Sequence, residues 1–307
     1  MKALLALEDG RTFPCRSFTG PGEASGEVVF NTSMTGYQEV LTDPSYSGQM
    51  VTMTYPLVGN YGVNPEDVES ARIQVAAFLV KEYQPFPSNF RSTQSLADYL
   101  SNQGVLGVEG LDTRALTRHI RNGGAMRAVI STMDLDAESL TKRANAIPSM
   151  DGLDLAKHVT TETAYRWQDG RPEFLAADEI VDAGVWRQRE TRPSVVAIDF
   201  GLKYNIARCL EKAGFEVVVV PAATEASTIM TMAPDGLFLS NGPGDPEPVS
   251  YGIETTRALL GRLPIFGICL GNQILGLALG GRTYKLKFGH RGANQPVKNL
   301  ATGKVEI

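Results

Sequence analysis

The chain has 307 residues, with 29 Lys and Arg against 34 Asp and Glu for a net charge of −5, and 43% of its residues are hydrophobic. This length is sufficient for two domains that each bury a core, and the composition excludes a disordered or fibrous chain. A small negative charge without runs of Lys or Arg argues against a nucleic acid or an anionic membrane as partner.

Three cysteines, Cys15, Cys209 and Cys269, are far apart and form no CxxC pair. They therefore predict neither a disulfide framework nor a zinc site, and they fit a reducing compartment. The apolar start of the chain is interrupted by Glu8 after too few residues for a signal peptide. No later apolar run is long enough for a membrane span. We expect a cytoplasmic protein.

The first half of the chain predicts a mixed α+β domain. Alternating stretches at residues 26–31 and 49–55 are bounded by Gly, Pro and Asn, which is typical of strands in a partly antiparallel layer. Helices are fewer. One is expected near 95–101, and a second over 113–121, with Asp112 as its N-cap and a glycine pair as its stop.

The second half changes to short cycles of strand and helix, after a mixed and polar segment at 151–191 that we interpret as a connector. Buried strands that alternate with helices predict a doubly wound parallel α/β sheet, with its active site at the carboxyl ends of the strands. The predicted division is a domain at 1–150, the connector, and a domain at 192–307. Its strands are expected at 194–199, 215–220, 236–240 and 264–268, and its helices at 205–212, 253–261 and 272–279.

Cys269 lies between Gly267 and Gly271, where a predicted strand ends and a helix begins. Flanking glycines allow the sharp turn that lifts a nucleophile clear of a sheet. The positive end of the helix then stabilises a negatively charged sulfur, and the N–H of Leu270 can serve as an oxyanion donor. A short pattern of this kind also fits a buried cysteine that merely packs.

A second loop, residues 240–246 (SNGPGDP), follows another predicted strand and reaches the same edge of the sheet. Its glycines let backbone N–H groups approach a ligand closely. A nucleophile with two sources of main-chain donors is suited to attack on a carbonyl. Amides or esters are therefore the expected substrate class.

These two loops, 267–273 (GICLGNQ) and 240–246, resemble the signature of class I glutamine amidotransferases. Three blocks of the first half, 29–39 (VFNTSMTGYQE), 42–49 (TDPSYSGQ) and 110–114 (GLDTR), resemble the small, glutamine-hydrolysing subunits of carbamoyl phosphate synthetases. The resemblance extends over essentially the whole chain. It implies a class I glutamine amidotransferase domain, incomplete at its C-terminus, after the N-terminal domain.

The resemblance implies that Cys269 attacks the side-chain amide of L-glutamine to give a thioester and ammonia. It also implies an oxyanion hole made by the N–H of Leu270 and the Gly242 loop. Glutamine itself is expected to be held by Ser47, Gly244 and Gln273. From its local sequence alone, Ser47 would be interpreted as a turn hydroxyl.

The family resemblance also implies a partner, the large synthetase subunit, in a heterodimer. Ammonia would pass through a tunnel to that subunit and be joined to bicarbonate to make carbamoyl phosphate for arginine and pyrimidine biosynthesis. The chain has no phosphate-binding loop of the Gly-x-x-x-x-Gly-Lys type. We therefore expect no cofactor or metal in this chain, and ATP with Mg on the large subunit.

The histidines depart from the family pattern, which uses a His followed two positions later by Glu as the proton-transfer pair. No His-x-Glu follows Cys269. His290 matches an earlier glycine-rich loop, His119 is expected in the last turn of a helix, and His158 lies in the connector. The chain also stops after a predicted strand at 303–307.

We accordingly expect the sequence to be a C-terminally truncated piece of a longer subunit, with poor glutamine turnover. Two alternatives stay open at the level of sequence. One is a catalytically impaired interaction or regulatory subunit, suggested by the missing histidine. The other is a stand-alone cysteine hydrolase of the same α/β class, suggested by the turn around Cys269.

Overall fold

The structure, a computed structural model, describes residues 1–176, 179, 192–289, 292 and 295–307. The chain divides into two compact units. The first comprises Met1–Thr42, Gly48–Ser149 and Lys285–Ile307, and the second comprises Asp43–Ser47 and Met150–Tyr284. No helix among the described residues is long and apolar enough to cross a membrane.

The first unit is built on a closed seven-stranded barrel with mixed pairing. The partly antiparallel layer predicted from the sequence is thus confirmed. Its two edge strands also pair with each other, which closes the sheet into a barrel. In barrel order the strands are β1 (Lys2–Leu7), β2 (Thr12–Ser17), β8 (Leu106–Glu109), β6 (Ala77–Leu79), β4 (Gln49–Met53), β3 (Glu23–Asn31) and β9 (Met126–Ser131). The neighbouring strands β8, β6, β4 and β3 run parallel, and the remaining pairs are antiparallel.

Both helices predicted in this half are present. Ser95 and Asp112 cap them, with each side chain accepting a hydrogen bond from a backbone N–H three residues on. The second buries Leu116 and Ile120 in the core cluster of the barrel. These two helices are α2 (Leu96–Asn102) and α3 (Thr113–Gly123). The other elements of this unit are α1 (Tyr37–Thr42), β5 (Leu57–Val58), β7 (Glu82–Tyr83), α4 (Ala137–Ala146), β16 (Val297–Lys298) and β17 (Val305–Glu306).

The second unit contains a six-stranded sheet with helices on both faces, as the sequence predicts. In sheet order the strands are β11 (Arg171–Phe174), β10 (Tyr165–Gln168), β13 (Glu216–Pro221), β12 (Ser194–Asp199), β14 (Gly236–Leu239) and β15 (Ile265–Gly267). The last four of these are parallel. The helices are α5 (Ala156–Val159), α6 (Tyr204–Lys212), α7 (Ala226–Thr231), α8 (Ser250–Leu259) and α9 (Leu270–Ala278).

Alternate residues of the central strand serve the two faces of this sheet. Val196 and Ile198 pack in one cluster with side chains of α7, α8 and α9, whereas Val195 and Ala197 pack in another with Ala207 of α6. All four strand residues are buried. A central strand buried on both faces explains the continuous apolar run from which the parallel sheet was predicted.

The sequence predicts domain limits at 1–150, 151–191 and 192–307, and the two compact units have different bounds. The predicted limits remain a prediction. Part of the connector is structured, because β10 pairs antiparallel with β13 and buries Tyr165 and Trp167. Its alternation covers only four residues, too few to stand out from the surrounding charges.

The C-terminal residues from Lys285 belong to the first unit rather than to the sheet. Lys287 O accepts a hydrogen bond from the Ala125 N–H at 2.9 Å, and Lys285 Nζ lies 3.3 Å from Glu27 Oε1. The Phe288 ring lies 5.7 Å from that of Phe30. These contacts join residues far apart in sequence, which local patterns do not predict.

Candidate active site

Cys269 occupies a strained turn between β15 and α9. Its backbone has φ 54° and ψ −112°, and the helix begins at the next residue. A positive φ in a residue with a side chain costs about 1–3 kcal/mol and persists only where the surroundings impose it. The residue is exposed, so the alternative of a buried, packing cysteine does not hold. The turn presents the thiol at the carboxyl end of the sheet.

The two glycines beside Cys269 are required by close approach. A Cβ on Gly267 would lie 2.6 Å from the carbonyl carbon of Gly271, and a Cβ on Gly271 would lie 2.2 Å from Leu239 O. Both distances are far below van der Waals contact. The glycines therefore let the first turn of α9 fold back over β15 and against the end of β14, which fixes the position of Cys269.

The other cysteines have no comparable setting. Cys15 is buried in the barrel, and burial raises the pKa of its thiol to about 12. Cys209 is exposed on α6, without a turn or a pair of glycines around it. Cys209 thus offers a matched control for chemistry at Cys269.

The loop after β14 lies directly against the turn at Cys269. Gly271 N donates to Ser240 O at 2.9 Å, and a Cβ on Gly242 would lie 2.1 Å from Phe200 O and 2.8 Å from Leu270 Cδ2. Leu270 is the first residue of α9, so its N–H is one of the amides with no partner inside the helix. The structure thus brings Gly242 and Leu270 together, as the sequence predicts for an oxyanion hole.

The remaining predicted binding residues are also in the second unit. Gly244 has φ 85°, and a Cβ there would lie 3.1 Å from Leu153 O, so glycine is favoured. Gln273 lies in the first turn of α9, is exposed, and donates its backbone N–H to Cys269 O at 3.0 Å. Their side of the sheet is the carboxyl end, where ligands bind in open α/β folds.

Ser47 belongs to the second unit although the chain on either side of residues 43–47 belongs to the first. It ends a short 3₁₀ turn, Pro44–Tyr46, that Asp43 caps through a 2.9 Å hydrogen bond from Ser45 N. The tertiary structure therefore groups Ser47 with Cys269. No local pattern in the sequence indicates this grouping.

A buried carboxylate organises the loop after β12. Asp199 accepts hydrogen bonds from the N–H groups of Gly201 (2.8 Å), Leu202 (2.6 Å) and Thr161 (2.8 Å). Burial raises the pKa of Asp199, and the three N–H donors oppose that shift. In this loop, the Phe200 N–H donates a hydrogen bond to Ser240 Oγ at 2.8 Å. This hydrogen bond connects the loop after β12 to the start of the Gly242 loop.

Comparison with known proteins identifies both halves of the chain. The family model described as "Carbamoyl-phosphate synthase small chain, CPSase domain" matches residues 5–130, and the model described as "Glutamine amidotransferase class-I" matches residues 196–306. The carbamoyl phosphate synthase small chain of Syntrophotalea carbinolica is 59% identical over 307 residues, which cover all of this chain and 80% of that protein. The chain belongs to the carbamoyl phosphate synthase small chain family.

Other small chains are nearly as similar. That of Solidesulfovibrio magneticus is 55% identical over all of this chain and 81% of its own length, and that of Rhodopirellula baltica is 52% identical over 99% and 79%. Among solved structures, the aminopeptidase from Aneurinibacillus sp. strain AM-1 matches at 11% identity with a TM-score of 0.26, over 92% of this chain and 70% of that chain. That likeness is too low to bear on the fold.

Membership of the small chain family confirms the resemblance predicted from the sequence motifs, and with it the glutamine amidotransferase domain around Cys269. It does not favour either alternative, the silent regulatory subunit or the stand-alone hydrolase. The assignments of individual residues to catalysis and to glutamine binding remain predictions.

The histidines lie as follows. The ring of His119 contacts Asp9, with Nε2 2.6 Å from Oδ2, and Arg11, with Nδ1 3.2 Å from Nη1. Its helix continues to Gly123, so the predicted place in the last turn, at the helix carbonyls, is wrong. His158 is exposed on α5. His290 lies outside the described residues. Within the described ranges no group of His, Cys, Asp and Glu could hold a metal ion.

Sequence reasoning also missed polar residues around the Gly242 loop. A lone lysine beside a helix, such as Lys203, is usually solvated, but its Nζ lies 3.4 Å from Asp43 Oδ2. Asn241, unremarked in the motif, is buried and bonds to segments distant in sequence. Its place directly before a glycine at the end of a buried strand is the only local signal for it.

Proposed function

We propose that this chain is the glutamine-hydrolysing subunit of a glutamine-dependent carbamoyl phosphate synthase. The observation that carries the proposal is Cys269, an exposed thiol in a strained turn at the end of a parallel strand, within a glutamine amidotransferase domain. Its partner is the large synthetase subunit, and its substrate is L-glutamine.

In the proposed reaction, Cys269 Sγ attacks the carboxamide carbon of glutamine. The tetrahedral oxyanion is stabilised by the N–H of Leu270 and by the backbone of the Gly242 loop. The C–N bond then breaks and the nitrogen takes up a proton. Ammonia departs, and the γ-glutamyl group remains bound to Cys269 as a thioester. Water hydrolyses that thioester to glutamate and restores the thiol.

Three further residues are proposed to hold the substrate. Ser47 and Gln273 offer polar side chains, and Gly244 keeps its backbone open to the ligand because it carries no Cβ. The position of residue 47 in the same compact unit as Cys269 supports this role for Ser47. Ammonia is proposed to reach the large subunit, where ATP with Mg drives its condensation with bicarbonate, so the chain itself needs no cofactor.

The test is covalent labelling with a glutamine analogue whose carboxamide nitrogen is replaced by a chloromethyl group, so that the thiol displaces chloride. We expect one label per chain, on Cys269, with protection by L-glutamine but not by a simple ester. Cys269→Ser should abolish labelling, and Cys209→Ser, which removes the other exposed thiol, should leave it unchanged. Labelling that glutamine does not prevent, or that falls equally on Cys209, would contradict the proposal.

A second measurement separates the proposal from its rivals. The full chain is mixed with the large subunit, and complex formation and glutamine-dependent carbamoyl phosphate synthesis are followed. Binding without any glutamine-protected labelling of Cys269 would support a silent regulatory subunit. Turnover of esters or peptides in preference to glutamine would support a stand-alone hydrolase.

A further inference from the structure

Asn241 joins three segments of the second unit through one buried side chain. It is 3% exposed. Its Oδ1 accepts a hydrogen bond from the Lys203 N–H at 3.0 Å. Its Nδ2 donates to Ser45 Oγ at 2.9 Å and lies 3.4 Å from Asp43 Oδ1. The loop after β14, the loop after β12 and the segment Asp43–Ser47 therefore meet at this amide.

The orientation of the Asn241 amide is fixed by its partners. The oxygen faces a backbone N–H, which can only donate, and the nitrogen faces a carboxylate, which can only accept. A flipped amide would lose both interactions and bring its oxygen to the Asp43 carboxylate. Lys203 strengthens the arrangement, because its Nζ lies 3.4 Å from Asp43 Oδ2 while its N–H binds Asn241.

Two of the three segments that Asn241 joins carry a residue of the proposed glutamine site. Asn241 directly precedes Gly242, whose backbone contributes to the proposed oxyanion hole. The segment it reaches contains Ser47, whose N–H bonds to Pro44 O at 3.0 Å so that Ser47 follows the 3₁₀ turn rigidly. A shift at Asp43 and Ser45 is therefore passed on to Ser47.

We propose that Asn241 is the positioning residue of the glutamine site. It acts through the segment Asp43–Ser47 and sets the distance between Ser47 and the Gly242 loop, without itself touching the substrate. This inference rests on the proposed function. Because a misplacement of about 1 Å in a binding group can cost two orders of magnitude in rate, the effect is large enough to measure.

The test compares two reagents for Cys269 in the full chain. The glutamine-like chloromethyl ketone uses the whole site, whereas iodoacetamide needs only the thiol. Asn241→Asp replaces the donor nitrogen by an oxygen that faces the Asp43 carboxylate. We expect the variant to lose at least tenfold in second-order labelling by the chloromethyl ketone, through weaker binding of the reagent. Its rate with iodoacetamide should stay within about twofold of native.

Exchange of the two residues at positions 43 and 241 distinguishes a positioning role of Asn241 from general damage to the fold. The double variant D43N/N241D removes the repulsion between two carboxylates. The amide oxygen at position 43 can still accept the Ser45 N–H that caps the 3₁₀ turn, and the Ser45 hydroxyl can donate to the carboxylate at position 241. We expect chloromethyl ketone labelling to return to within about threefold of native. Absence of rescue would overturn the proposal, and so would N241D labelling at the native rate or an equal loss with both reagents.

Ser45→Ala provides a second variant in case Asn241→Asp fails to fold. It removes the acceptor of the 2.9 Å hydrogen bond and leaves the buried asparagine in place. We expect a threefold to tenfold loss with the chloromethyl ketone alone, and an unchanged rate would refute the positioning role. If the native chain shows no glutamine-protected labelling, the proposed function itself fails, an outcome distinct from any difference between variants.

Discussion

Gly271 and Gly276 lie in the same helix, α9, but meet different surroundings. A Cβ on Gly271 would lie 2.2 Å from Leu239 O, whereas a Cβ on Gly276 would meet no atom within 4 Å. Alanine at either position gains about 0.5–1 kcal/mol in helix propensity. At Gly271 that gain is opposed by a clash with backbone, which moves little.

The magnitude follows from the distance. Leu239 O and the new methyl group have to separate by about 1 Å to reach ordinary contact, and overpacking of this kind costs about 1–3 kcal/mol. We expect Gly271→Ala to lower the free energy of unfolding by about 1–2 kcal/mol, and Gly276→Ala to raise it by about 0.5–1 kcal/mol. The helix also carries Cys269 at its start, so Gly271→Ala should slow labelling of that thiol by the glutamine-like chloromethyl ketone at least tenfold.

Urea denaturation followed by circular dichroism measures the stability of both variants, and mass spectrometry measures labelling. Because both substitutions add the same methyl group to the same helix, the difference between them isolates the contact with β14. Equal stabilities, or native labelling in Gly271→Ala, would refute the reasoning that this glycine fixes the turn.

Three further predictions concern caps and titration. Asp112→Ala removes the cap that accepts the Ala115 N–H at 2.9 Å and should cost about 1 kcal/mol in urea denaturation; a loss below about 0.3 kcal/mol would contradict the capping role. The raised pKa of Asp199 means that the folded state binds this proton more tightly, so the stability it gives is greatest below about pH 4 and is lost as pH rises through the folded pKa. Asp199→Asn should therefore be relatively more stable against native at pH 7 than at pH 4, and a constant difference would contradict the shift. The Arg143 hydrogen bond lowers the pKa of Glu23, so Arg143→Met should lower the free energy of unfolding slightly at neutral pH, and by less as the pH falls through that lowered pKa and Glu23 becomes protonated. Urea denaturation over a series of pH values measures this, and a difference from native that stays the same at every pH would contradict it.

The sequence predicted those elements whose signals are local. The strand at residues 194–199 contains a continuous apolar run, residues 195–198, because β12 is buried on both faces. The helix after Asp112 begins at a side chain that caps it and ends at a glycine with φ 107°. The turn at Cys269 was also predictable, because only glycine tolerates the approach that the helix makes to β14 and β15.

The pairing of segments that are distant in sequence could not be predicted from local patterns. The strand at 165–168 has only four residues, and its burial depends on its partner β13. Closure of the barrel depends on β1 meeting both β2 and β9, which no stretch of sequence expresses. Lys203 looked like an exposed helix charge because its partner, Asp43, is far away along the chain.

The sequence by itself determined the chemical groups on which the proposed function rests: the proposed nucleophile Cys269, its flanking glycines and the Gly242 loop. These residues lie in two short stretches whose glycines permit the tight turns and close approaches that the surrounding backbone requires. The tertiary structure alone decided which residues surround that chemistry. Ser47 joins the unit of Cys269 through the bonds that Asn241 and Lys203 make to the segment before it, because hydrogen bonds and ion pairs between distant segments form only once the sheet and its loops are in place.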